Sequence, residues 1–214
     1  VRLYVHSTDR DPASAWPSSA QSDAHHLPFD LTRPLDEHAA TLTDAAPTGA
    51  VVFAHSAAAV PVALAAARLS PRALVLVEPA LYDVARGHPA IEAHIAGISR
   101  ARALADTGDL FGYWSVVRPL MFGGPADPAR WEPERAGVAR FAARRPPWGF
   151  GVDAAMLRGI PTLVVTGGWN AEYDAIAEVL ERHGAHRRTL SGHGHRPQDH
   201  PDFAATVETF LANV

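Results

Sequence analysis

The residues with the clearest chemical promise lie at 54–58, Ala54-His55-Ser56-Ala57-Ala58, after an apolar run and directly before a helical pattern. A serine at such a junction sits on a tight turn with its hydroxyl projecting past the strand. The amides that follow head a helix, where they can stabilise a developing negative charge. The turn is crowded, so the positions two before and two after the serine must be small, as Ala54 and Ala58 are. A second segment, Ser191-Gly192-His193-Gly194-His195, follows a strand pattern and precedes the last helical one. A serine hydroxyl and a histidine can together supply the nucleophile and base that acyl transfer through a covalent intermediate uses.

Composition narrows the alternatives. The chain has 214 residues, no cysteine, and 19 basic residues, all of them arginine. A thiol nucleophile, a disulfide, a cysteine-ligated zinc and an iron–sulfur cluster are thereby excluded. So are a Schiff-base lysine and a phosphate loop that depends on its lysine. A net charge of −4 and arginines scattered among acids argue against a nucleic-acid partner. The doublets Arg144-Arg145 and Arg187-Arg188 read as solvated faces. No apolar run approaches the ~20 residues of a membrane span. The opening Val1-Arg2-Leu3-Tyr4-Val5 reads as a strand and not as a secretory leader, so a cytoplasmic location is expected. Abundant alanine with exclusive use of arginine points to a GC-rich bacterial source.

Around the two segments, apolar runs at 1–6, 50–54, 73–78 and 162–166 predict strands, with a weaker one at 26–31 and a sixth at 187–191. Their near-continuous hydrophobicity predicts burial on both faces, hence a parallel sheet. Helical patterns at 35–44, 57–69, 171–182 and 202–212 alternate with them. The expected fold class is therefore α/β, an open sheet with helices on both sides in one domain spanning 1–214. Residues 88–150 break the alternation. They predict helices at 91–105 and 110–120 and a loop-rich remainder, with Gly123-Gly124-Pro125, Pro146-Pro147-Trp148 and a concentration of aromatic residues. Such an insertion reads as a helical cap, and Trp114, Phe122 and Trp148 are its expected pocket residues.

The run at 54–58 resembles the nucleophile elbow Gly-x-Ser-x-Gly of the α/β-hydrolase fold, with alanine at both glycine positions. Gly192-His193-Gly194-His195 resembles the histidine loop of the same fold. The resemblance covers most of the chain, with a shortened front, and is strongest at 50–80 and 160–200. It implies a doubly wound, mostly parallel sheet with a cap, Ser56 as nucleophile and His195 as base. Many members carry an aspartate after the strand matching 162–166, where this chain reads Gly167-Gly168-Trp169-Asn170. Other branches place the acid after the preceding strand, which implies Glu78, with Glu172 and Asp174 in reserve. The implied oxyanion donors are the amides of Ala57 and of Ser7 or Thr8, where His6-Ser7 stands in place of the usual His-Gly. His6 and Trp16 join the expected substrate pocket. The glycine-rich Pro-Gly-x-Gly loop has no counterpart around 29–33.

The resulting expectation is a serine hydrolase cleaving a small apolar carboxylic ester or related acyl derivative, with no metal or organic cofactor. Its partner is a small-molecule substrate, and a homodimer is compatible with the reading. Two alternatives remain. One is a degenerate member that binds a small molecule or a partner without turnover. The other is a metallohydrolase using His193, His195, Asp199 and His200, whose spacing resembles His-x-His-x-Asp-His with the gap to the aspartate two residues too long.

Overall fold

A computed structural model describes residues 1–19 and 23–214. Six strands form one sheet: β1 (Arg2–Ser7), β2 (Ala24–Phe29), β3 (Val51–His55), β4 (Ala73–Val77), β5 (Thr162–Thr166) and β6 (His186–Thr189). Their spatial order is β2-β1-β3-β4-β5-β6, and every adjacent pair is parallel. The chain runs outward from β1 to β2 and then returns to place β3 on the other side of β1. The direction of winding thus reverses between β1 and β3, and it is beyond the C-terminal ends at such a point that open α/β sheets hold their ligands. Ser7 is the last residue of β1, and Ser56 directly follows β3.

The apolar runs explain the burial. Every residue of β4 and β5 is buried, as expected of strands covered on both faces. One face carries Tyr4, Phe53, Val75, Val77 and Val165 under Phe203, Val207 and Phe210 of α8 (Phe203–Leu211). With a side-chain period of two, the alternate residues Leu3, Val5, Val52, Leu74, Leu76 and Val164 are buried on the other face. There α3 (Ala59–Leu69) packs on β3, α2 (Leu35–Ala45) on α3, and α7 (Ala171–Arg182) on β5. The single turn α1 (Pro12–Ala15), capped by Asp11, lies outside the predicted elements. The edge strand β6 is mostly exposed, which is why its sequence His186-Arg187-Arg188-Thr189 lacks the apolar run of the central strands.

The chain divides into two compact units, Val1–Ala85 with Arg145–Val214, and Arg86–Arg144. The second consists of α4 (Pro89–Asp106), α5 (Leu110–Met121) and α6 (Trp131–Ala142) around Ala101, Tyr113, Val117 and Val138. Helix α6 corrects the loop-rich reading of this stretch. Its Pro133 occupies the first turn, where a backbone N–H has no intrahelical partner to lose. Residues 145–150, read as insertion, belong to the first unit. There the Asp83 carboxylate accepts the N–H groups of Gly149, Phe150 and Gly151 at 2.8, 2.8 and 2.9 Å, which anchors the returning chain. No helix among the described residues is long and apolar enough to cross a membrane.

Candidate active site

At the end of β3 the backbone passes through three regions in four residues. His55 is extended (φ −116°, ψ 132°), Ser56 is left-handed at φ +56°, and Ala58 is helical at φ −65°, ψ −14°. A positive φ at a non-glycine residue costs of order 1–3 kcal/mol and persists only where its surroundings impose it. Here the Ala80 N–H donates to the Ser56 carbonyl at 3.1 Å. Ala54 and Ala58 are 0% and 2% exposed, so neither flank has room for a larger side chain. The Ala57 N–H heads the 3-10 turn Ser56–Ala58, among the amides without an intrahelical partner.

Glu78 leaves β4 at φ +43° and is fully buried. Its Oε1 accepts the Gly167 N–H, and its Oε2 accepts the Trp169 indole N–H at 3.3 Å. The same Oε2 lies 3.5 Å from His195 Nδ1, a charge-pair distance longer than a normal hydrogen bond. The loop bearing His195 comes this close because Gly167 has no side chain: a Cβ there would overlap the Gly194 carbonyl oxygen. Ser56 makes no well-formed hydrogen bond to His195 among the described residues. Catalytic contacts of this kind often tighten only when substrate binds.

The remaining expected residues separate. Asn170 Oδ1 accepts the Glu172 N–H at 2.9 Å and caps α7, and Asp174 pairs with Arg187 at 2.6 Å. Glu172 is buried in the first turn of α7. The Thr8 N–H donates to the Phe29 carbonyl at 2.9 Å, so it is not available to an oxyanion. Successive amides of a strand point to opposite neighbours, which turns the Ser7 N–H toward the β3 side, beyond the last β1–β3 pair Val5–Ala54.

Trp16 corrects its assignment as a pocket residue. It is 1% exposed, donates its indole N–H to the Val5 carbonyl, and packs on Tyr4, Phe53 and Phe203 in the core. His6 is also buried, with Nδ1 bonded to the Ser7 carbonyl. Trp148 packs edge-on against Tyr82. Trp114 and Phe122 pack together in the helical unit, where the Trp114 indole N–H donates to Glu134. Of the four residues of the metal alternative, His193 and His200 meet, with ring centroids 5.4 Å apart, but the other two are engaged elsewhere. His195 faces Glu78, Asp199 is held by Arg196 at 2.6 Å, and no metal-binding group of three or more such side chains occurs among the described residues.

The model of the Alpha/beta hydrolase family matches residues 5–207. This chain belongs to that family. No curated protein matches the sequence. Among solved structures, a hydrolase from Oleispira antarctica is similar at TM-score 0.66 and 12% identity, covering 99% of this chain and 90% of its own. A structure from a study of carboxylesterases of the thaumarchaeon Nitrososphaera gargenis is similar at TM-score 0.62 and 14% identity, with coverages of 99% and 89%. Human thioesterase 2 is similar at TM-score 0.55 and 13% identity, with coverages of 99% and 94%. At these identities the likeness is one of fold.

Three residues that this alpha/beta hydrolase brings to the site were not singled out from sequence. His55 donates Nε2–H to the His195 carbonyl at 2.8 Å, tying the histidine loop to the serine turn. Burial, and next the neighbouring His195, hold the His55 pKa well below the usual histidine range. Trp169 bonds Glu78 as described, and Tyr173 packs its ring on His195 with centroids 5.0 Å apart. Tyr173 stands three residues before Ile176 on the buried face of α7, so helical spacing was the available signal.

Proposed function

We propose that this chain is a serine hydrolase that cleaves a small apolar carboxylic ester, or a related acyl derivative, through an acyl-enzyme. The observation that carries the reading is Ser56, a serine held at φ +56° between a buried strand and a helix. Ser56 Oγ attacks the acyl carbonyl carbon while His195 takes its proton. The carbonyl electron pair moves onto oxygen, where the N–H groups of Ala57 and Ser7 stabilise it. Collapse expels the leaving group, which receives the proton from His195, and water repeats the sequence to release the acid. Glu78 orients His195 and stabilises its positive charge. The helical unit, with Trp114 and Phe122, is the proposed cap, and Trp148 a proposed pocket residue.

The reading is tested by intact mass after incubation with a fluorophosphonate. Wild type should gain one adduct, and Ser56→Ala and His195→Ala should gain none. A folded wild type that takes no adduct would remove the proposal. That outcome is the one predicted by the alternative, a binding protein without turnover, which the 3.5 Å separation of Glu78 and His195 favours.

A further inference from the structure

We infer that the Tyr173 hydroxyl is a hydrogen-bond donor to substrate, and that it selects acyl compounds carrying a second, uncharged oxygen beside the scissile carbonyl. The inference rests on the reading of Ser56 as nucleophile and names a substrate class for that site. Tyr173 lies in the first turn of α7 and is 1% exposed. Its ring is packed by His195 at 5.0 Å, Trp169 at 6.3 Å and Tyr82 at 6.4 Å between centroids, which gives it little freedom to swing. Its hydroxyl approaches Ser56 and Tyr82, yet it is enclosed and makes no well-formed hydrogen bond.

A buried hydroxyl left unpaired costs about 1–3 kcal/mol, and phenylalanine would fill the same space without that cost. Beside a nucleophile, such a group is one that a ligand can pair. Burial, and next the Glu78 charge, raise the phenol's pKa, so it remains a neutral donor throughout the working pH range. The second nearby carboxylate, Glu172, acts in the same direction. Two negative charges in these surroundings disfavour an anionic acceptor and leave a carbonyl, ether or hydroxyl oxygen as the partner. Tyr173 acts here as a specificity residue. It differs from the oxyanion donors because it meets an oxygen of the acyl group other than the one that becomes charged.

The test compares p-nitrophenyl methoxyacetate with p-nitrophenyl butyrate, in which a methylene replaces the ether oxygen, on wild type and Tyr173→Phe. The inductive effect of the ether is common to both proteins, so the diagnostic quantity is the change in the ratio of their kcat/KM values. That ratio should fall by roughly 3- to 10-fold in the variant, the size of one neutral hydrogen bond. Fluorophosphonate labelling of Ser56 should persist, and the Tm should be unchanged or raised. An unchanged ratio in a labelled variant overturns the inference and leaves the serine reading intact. A Tm lowered by several degrees also overturns it, since the hydroxyl would then be bonded within the protein. A wild type that neither labels nor turns over either ester overturns both.

Discussion

The C-terminal ends of β4 and β5 are neighbours in the sheet, and their polar residues turn to different tasks. At the end of β4, Glu78 takes a left-handed backbone, buries its carboxylate completely and faces His195. At the end of β5, Asn170 caps the helix that follows, while Gly167 and Trp169 supply donors to the carboxylate next door. Adjacent strands lie only ~4.8 Å apart, so a carboxylate on either end can reach the same imidazole. The difference between the two ends teaches that the carboxylate facing His195 comes from the β4 end, while the polar side chain at the β5 end is taken up in capping a helix.

Glu78→Gln should separate the two ends most sharply. It removes the charge opposite His195 and should lower kcat by about 10³–10⁴. Asn170→Ala should leave kcat nearly unchanged and cost about 1 kcal/mol of stability through the lost cap. Ester hydrolysis and thermal melting read both effects, and the opposite pattern would make Asn170, and not Glu78, the group that orients His195.

Gly167→Ala tests whether the β5 end exists to admit the histidine loop. A Cβ there meets backbone, which cannot rotate away, so the variant should lose about 1–3 kcal/mol or more of stability, with weakened labelling of Ser56. A variant with wild-type Tm and labelling would show that the two loops are not in close contact.

The smallest effect concerns the β3 end. His55 is neutral in the fold because burial lowers its pKa, and it gains a proton on unfolding once the pH falls below about 6.5. The unfolded state then binds more protons, so stability declines as pH falls from about 6.5 toward the depressed folded value. His55→Gln keeps a donor for the His195 carbonyl but does not titrate, and should show a shallower fall in Tm between pH 7.5 and 5.5. His26, whose pKa burial also lowers, preserves part of the slope. Parallel curves for the two proteins would remove His55 as its cause.

Strand 162–166 is readable to the residue, because five consecutive apolar or β-branched residues between a proline and a glycine pair allow few alternatives. The turn at Ser56 is legible for a related reason: an apolar strand run passes there directly into a helical pattern, with small residues on both sides of the junction. Helix α6 is not, because it lies between Gly123-Gly124-Pro125 and Pro146-Pro147-Trp148, which read as loop, and its Pro133 fits a helix only in the first turn. Trp16 suggested a pocket when seen as a motif neighbour, yet it packs against Phe53 and Phe203, residues far away in the chain.

Local pattern was enough for the alternation of strands and helices, the crowding around Ser56 and the exclusion of cysteine and lysine chemistry, since each depends on residue type and short spacing. Which carboxylate meets His195, that the Thr8 amide is taken up by Phe29, and which tyrosine hydroxyl is left unpaired beside Ser56 all depend on strand order and on how closely two glycine loops approach. Those contacts join residues from separate elements of the chain, and no periodicity along the sequence encodes them.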